Sequence, residues 1–160
     1  MNRETKFLNF RKNTVIISGF PGIGKSFLFN KYKNKIILDS DYSKFSWIID
    51  GIRNPQFPDN YINHIKNNIG IVDIILVSCH ETVRNALVEN IINFYLVYPD
   101  KKLKDIYLNN YKNRGNNDNF INMMNKNWDS FINQLETQNS CKKIILKKDE
   151  YLKDIIENII

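Results

Sequence analysis

The feature that most constrains this chain is an alternation. Short, β-branched apolar runs recur along it, and segments with helical spacing lie between them. "TVIISG" (14–19), "KIILD" (35–39), "IVDIILVS" (71–78), "FYLVY" (94–98) and "KKIILK" (142–147) read as strands. "SFLFNKY" (26–32) and "NYINHIKNN" (60–68) read as helices, as do residues 78–92, 100–113, 118–136 and 150–160. The third strand is continuously apolar, which suits a strand covered on both faces. Strands that alternate with helices predict an α/β fold with a parallel sheet of about five strands, helices on both faces and right-handed crossovers. The 160 residues hold no internal repeat and no clear linker, so one domain over residues 1–160 is expected.

Local signals refine this pattern. Residues 43–52 read as a short helix, broken by the two prolines of "NPQFP" (54–58). Ser78 and Glu81 fit a capping box for the helix that follows the third strand. Gly115 should stop the helix before it. The helix over 118–136 should bury a stripe of Phe120, Met124, Trp128, Phe131 and Leu135. In a parallel α/β sheet, ligands sit at the carboxyl ends of the strands, so functional residues are expected just after positions 18, 39, 78, 98 and 147.

One of those places carries a specific motif. Residues 19–26 read "GFPGIGKS", which is G-x-x-x-x-G-K-S set between a strand and a helix. Gly19, Gly22 and Gly24 allow backbone angles closed to other residues. Together with Pro21, Ile23 and Phe27 they form a turn whose N–H groups can face an anion. Lys25 adds a point charge for the β- and γ-phosphates, and the Ser26 hydroxyl suits a Mg²⁺ ion. The motif therefore predicts binding of a nucleoside triphosphate, with ATP and Mg²⁺ as cofactors.

The second strand ends in "LDSDYS", which places Asp39 and Asp41 beside that loop. With the motif and the D-x-D together, the sequence resembles the small P-loop kinases: nucleoside and nucleotide kinases, with shikimate-kinase-like and polynucleotide-kinase-like enzymes. The resemblance covers nearly the whole chain in element order and implies the three-layer P-loop NTPase fold. It implies that Asp41 faces the acceptor and that Asp39 faces the metal shell or Lys25. Alternatively, Asp39 or Ser40 would cap the next helix. The resemblance also implies an acceptor-side insertion over about 42–68 and a small lid over about 109–120, whose Lys112 and Arg114 close on the phosphates. Lys147, Lys148 and Asp149 would frame the ATP base.

Other residues carry readings of their own. Arginines are few, at 3, 11, 53, 84 and 114, and a forked guanidinium suits a transferring phosphoryl group. Arg84 and Arg53 are candidates for an acceptor phosphate, against plain surface charge. Phe45 and Trp47 offer stacking faces, against a small satellite core. His80 should face the site or sit exposed in a first helical turn, and Cys79 reads as packing. The third strand ends "VSCH" without an acid, which argues against a motor-type ATPase.

The acceptor class follows from these groups. A nucleotide or nucleoside leads, as for a nucleoside monophosphate kinase. A polynucleotide 5′-hydroxyl or other hydroxyl is the alternative, and a non-kinase ATP-binding module or ATPase is a third class. The net charge of +6 allows nucleic acid as a partner, but the lysines are scattered and Asn, Ile, Lys and Tyr are all abundant, so it reads mainly as composition. No apolar run approaches the ~20 residues of a membrane span. "MNRETKFLNFRKN" does not read as a secretory signal. Cys79 and Cys141, without metal-ligand spacing, suggest a reduced cytoplasmic setting.

Overall fold

A computed structural model describes residues 12–160, so most of the amino-terminal stretch weighed above as a signal lies outside the described residues. The core is a five-stranded, all-parallel sheet. Its strands are β1 (Val15–Gly19), β2 (Ile37–Asp39), β5 (Ile74–Ser78), β6 (Tyr95–Pro99) and β7 (Lys142–Leu146), in the spatial order β2-β5-β1-β6-β7. A separate antiparallel hairpin pairs β3 (Trp47–Ile49) with β4 (Ile52–Arg53).

The central strands explain the layering. Along β5, Ile74, Ile75, Leu76 and Val77 are all at most 1 % exposed. Successive side chains point to opposite faces, so both faces of the sheet are covered. Each such side chain contributes roughly 1.5–3 kcal/mol by leaving water. The covering elements are α1 (Lys25–Lys31), α3 (Asp59–Asn68), α4 (Glu81–Glu89), α5 (Lys104–Asn113), α6 (Asp118–Thr137) and α7 (Leu152–Ile155), with a single turn α2 (Ser43–Ser46) before the hairpin. Helix α1 packs on α7, α3 on α4 and α5 on α6. The edge strands are blunted: β2 has three residues, and β7 opens with exposed Lys142 and Lys143.

Register brings the functional ends together. Gly19 of β1 lies opposite Ser78 of β5 and Val97 of β6, and Asp39 of β2 lies opposite Leu76. At the other end of the sheet Asp73 accepts from the Ile36 N–H at 2.7 Å and pairs with Lys12 at 3.1 Å. Those contacts hold its carboxyl below the ordinary range, and they are structural.

Three local expectations need correction. Residues 43–52 are not one helix, because the chain turns at Asp50-Gly51, where Gly51 has φ +83°, and pairs β3 with β4. Asp-Gly between apolar residues is a strong hairpin signal, and here it outweighs helical spacing. Ser78 does not cap α4. It is the last residue of β5, its carbonyl accepts from the Ser18 hydroxyl, and its Oγ accepts from the His80 N–H. The buried stripe of α6 is Met124, Trp128, Ile132 and Leu135, while Phe120 and Phe131 sit to one side, half-buried. Gly115 does follow α5, with φ +90°, and the Asn117 side chain caps α6 by accepting from the Phe120 N–H at 2.9 Å. No helix among the described residues is long and apolar enough to cross a membrane.

Candidate functional site

At the carboxyl ends of β1, β2 and β5 lies a cavity of about 910 Å³. Its floor is the turn from Gly19 to Gly24, with Lys25, Ser26 and Phe27 at the start of α1. One side is Asp39, Ser40, Asp41 and Tyr42. Another is Cys79, His80, Glu81, Thr82 and Arg84, and the far wall is α6, reached past Arg114.

The turn is fixed by packing. Phe20 is buried edge-on against Trp128 at 5.4 Å between ring centroids, and its N–H donates to the Val97 carbonyl. The Ile23 side chain is fully buried, so this residue offers only backbone to a ligand. Gly22 has φ +89°, and a Cβ there would stand 2.9 Å from Tyr111 Cε1 and 3.3 Å from Tyr107 Cδ1. Backbone angle and neighbours thus both demand glycine. A Cβ on Gly19 would meet Ile23 Cδ1 at 2.6 Å and Lys25 Cδ at 3.0 Å. The Tyr111 hydroxyl donates to the Pro21 carbonyl at 2.7 Å.

Lys25 is half-buried, and its Nζ donates to the Gly19 carbonyl at 2.7 Å. Burial pushes its pKa below the ordinary value, an effect opposed by Cys79, Asp39 and Asp41 and reinforced by Arg114. The group is a cation short of both water and a bonded counter-ion, which an anion would stabilise.

Arg84, a candidate from the sequence, is a buried member of the lining rather than plain surface charge. It is 3 % exposed. Its Nε donates to the Cys79 carbonyl at 2.8 Å, and its Nη1 donates to Gln138 Oε1 at 2.5 Å. The ion pair found among the described residues is Lys12–Asp73, so no carboxylate lies within 4.0 Å of this guanidinium. A buried charge without a counter-ion is costly, and Arg84 lines the cavity.

The carboxylates are held differently. Asp39 and Asp41 are both exposed and both line the cavity. Asp41 Oδ1 accepts from the Ser43 N–H at 2.9 Å at the start of α2, a place expected for Asp39 or Ser40, and its other oxygen has no hydrogen bond among the described residues. Ser40 between them is buried and clamped. Its Oγ bonds His64 Nε2 at 3.0 Å, its carbonyl accepts from the Tyr61 hydroxyl at 2.8 Å, and its N–H donates to Leu76. Neither Ser40 nor His64 stood out in the sequence, because their link spans 24 residues. His80 is exposed overall and packs its ring on Tyr42 at 4.3 Å between centroids. Loss of water, then Lys25 and Arg84, lower its pKa below the ordinary histidine value.

Other expected residues lie elsewhere. Phe45 packs on Tyr61 and His64, and Arg53 sits over Trp47 at 4.3 Å; none of Phe45, Trp47 and Arg53 lines the cavity. Lys112 is exposed and lines neither this cavity nor the smaller one beside it, whereas Arg114 lies over the Tyr111 ring at 4.9 Å. A second cavity of about 330 Å³ flanks the same turn on its other side. It shares Gly22, Gly24, Phe27 and Arg114, and adds Asn110, Tyr111, Tyr151 and Lys153. Lys147, Lys148 and Asp149 are not part of it; the chain meets it two residues later, at Tyr151. A hydrogen bond from Asn110 Nδ2 to the Tyr151 hydroxyl at 3.1 Å closes that corner.

Among the described residues no cluster of three or more histidine, cysteine or acidic side chains is placed to hold a metal. Asp39 and Ser26 both line the main cavity. That donor set suits an ion such as Mg²⁺, which takes one or two protein oxygens and completes its shell with phosphate and water. No known protein-family model matches this chain, and no curated protein matches it.

Proposed function

We propose that the chain is a Mg²⁺- and ATP-dependent phosphotransferase of the small P-loop kinase type, acting on a nucleoside monophosphate or a related nucleotide or nucleoside. The observation that carries this reading is the convergence of Lys25, Arg84 and Arg114 with Asp39 and Asp41 on one cavity above a glycine turn. Among the described residues none of these cations has a bonded carboxylate, and a polyphosphate supplies what they lack.

In this reading the triphosphate lies along residues 19–26. The backbone N–H groups and Lys25 hold the β- and γ-phosphates, and Arg114 approaches from the segment between α5 and α6. The base lies in the smaller cavity, against Phe27 and beside Asn110 and Tyr151. Bound Mg²⁺ would neutralise the β- and γ-oxygens, with Ser26 and Asp39 as its protein oxygens. An acceptor oxygen attacks the γ-phosphorus, the bond to the β–γ bridging oxygen breaks, and ADP leaves.

A phosphate acceptor is already anionic and needs a cation rather than a base. Arg84 supplies one, buried and pre-oriented by Cys79 and Gln138. A hydroxyl acceptor, including a polynucleotide 5′-hydroxyl, must give up a proton, and the unbonded oxygen of Asp41 can take it. The uncompensated Arg84 favours the phosphate acceptor.

The test is a product panel. ATP is offered with nucleosides, nucleoside monophosphates and 5′-hydroxyl oligonucleotides, and the expected product is a nucleoside diphosphate. ATP consumption unaffected by every acceptor would contradict the reading. Arg84→Met should raise the KM for a monophosphate at least tenfold, with little change in that for ATP.

A further inference from the structure

We propose that α6 selects the acceptor: Phe131 and Met123 hold a flat heteroaromatic ring, and the Gln134 carboxamide reads its hydrogen-bonding edge. The proposal rests on the phosphotransferase reading above and names what that site accepts.

Helix α6 is the largest single source of apolar lining in the large cavity, with Phe120, Met123, Met124, Phe131 and Leu135, while the segment after β2 adds Tyr42. Of the aromatics of that segment, Tyr42 lines the cavity with its ring packed on His80, and Phe45 and Trp47 are turned to other partners. Helix α6 has two adjacent stripes. One is the core stripe of Met124, Trp128, Ile132 and Leu135. The other runs through Met123, Phe131 and Gln134, at spacings of eight and three residues, which keep them on one side of a helix. Met123 is 40 % exposed, whereas its neighbour Met124 is 2 % exposed. An apolar side chain left uncovered on a cavity wall has its stabilisation still to gain, and a planar ring fits it.

Gln134 supplies the polar edge. It is the one side-chain amide among the residues lining this cavity, and among the described residues only its backbone carbonyl, not its carboxamide, takes part in a side-chain hydrogen bond, accepting from Thr137. The nearby amides are already used: Asn133 accepts from Lys101, and Gln138 accepts from Arg84. A carboxamide donates and accepts side by side, which matches the edge of a nucleobase. Gln138 is one helical turn beyond Gln134, about 6 Å along the axis. The group that reads the ring is therefore on α6, and the group that orients the buried cation is the residue that ends it. A nucleoside monophosphate carries both a ring for this wall and an anion for Arg84. An aliphatic polyol would leave Met123 and Phe131 facing water.

The test uses the full chain saturated with a non-hydrolysable Mg·ATP analogue. The four deoxynucleoside monophosphates and a 5′-hydroxyl oligonucleotide are titrated by calorimetry into wild type, Gln134→Leu and Phe131→Ala. The expected result is a clear rank order among the monophosphates in wild type. Gln134→Leu should weaken the best of them at least tenfold and flatten the order. Phe131→Ala should weaken all of them alike and keep the order. An unchanged order and affinity in Gln134→Leu overturns the proposal. So does a wild-type protein that binds the analogue but no monophosphate, or only the oligonucleotide. A protein that does not bind the analogue overturns the phosphotransferase reading itself, and this proposal with it.

Discussion

Two loops border the cavity, and they are held by different physics. The turn after β1 is fixed by close packing: Gly22 under Tyr111 and Tyr107, Ile23 in the core, Phe20 on Trp128. The turn after β2 is fixed by side-chain hydrogen bonds: Ser40 to His64, Tyr61 to the Ser40 carbonyl, and the Ser43 N–H to Asp41. Packing is insensitive to pH and intolerant of added volume. A hydrogen-bonded clamp tolerates small changes of size but depends on protonation. A group that must present backbone N–H to a ligand gains from the first kind of support, and a group that must exchange protons or metal ligands gains from the second.

The largest effect that would sharpen this contrast is expected from Gly22→Val. It adds strain at φ +89° and a clash with Tyr111, together costing roughly 2–4 kcal/mol. Thermal melting should show a midpoint lower by roughly 5–15 °C. A midpoint within a degree or two of wild type would mean that the first loop is not held by packing.

Ser40→Ala should act more gently. It removes one partly buried hydrogen bond, worth about 1 kcal/mol, and frees the segment between the two aspartates. Steady-state kinetics should give a lower kcat with a nearly unchanged KM for ATP. A change confined to the ATP term would place Ser40 in the support of the first loop instead.

The smallest effect is the response to acid. Burial lowers the His64 pKa below its ordinary value of 6.5, and His80 is lowered too. The unfolded chain then takes up these protons first. Stability is therefore full above about pH 6.5 and declines as the pH falls below it. Denaturation at a series of pH values should show that decline, and His64→Gln, which cannot titrate, should flatten it. The first loop contains no histidine, so Gly22→Val should lower the whole curve without changing its shape.

Much of this architecture was legible in the sequence because β-branched runs and helical spacing are local signals. All five sheet strands and the long helix α6 fall where the apolar pattern places them. The motif residues 19–26 were legible for the same reason: turn, charge and hydroxyl lie within eight positions. What was missed depends on contacts distant in sequence. The Ser40–His64 clamp, the wall of Phe131 and Gln134, and the Tyr151 corner of the second cavity are made by the fold, not by a short motif. Residues 43–52 failed for a different reason. Phe45, Ile48, Ile49 and Ile52 have helical spacing, yet the Asp50-Gly51 turn decides the conformation once the isoleucines are left exposed.

The most direct test of the account is a melting titration with Mg·ATP. Ligand that binds only the folded state raises its stability by about 2.7 kcal/mol at a hundred times Kd. The account predicts a midpoint that climbs with Mg·ATP by several degrees in wild type and stays flat in Lys25→Ala. A wild-type midpoint that does not move, or a Lys25→Ala variant that climbs equally, would contradict it.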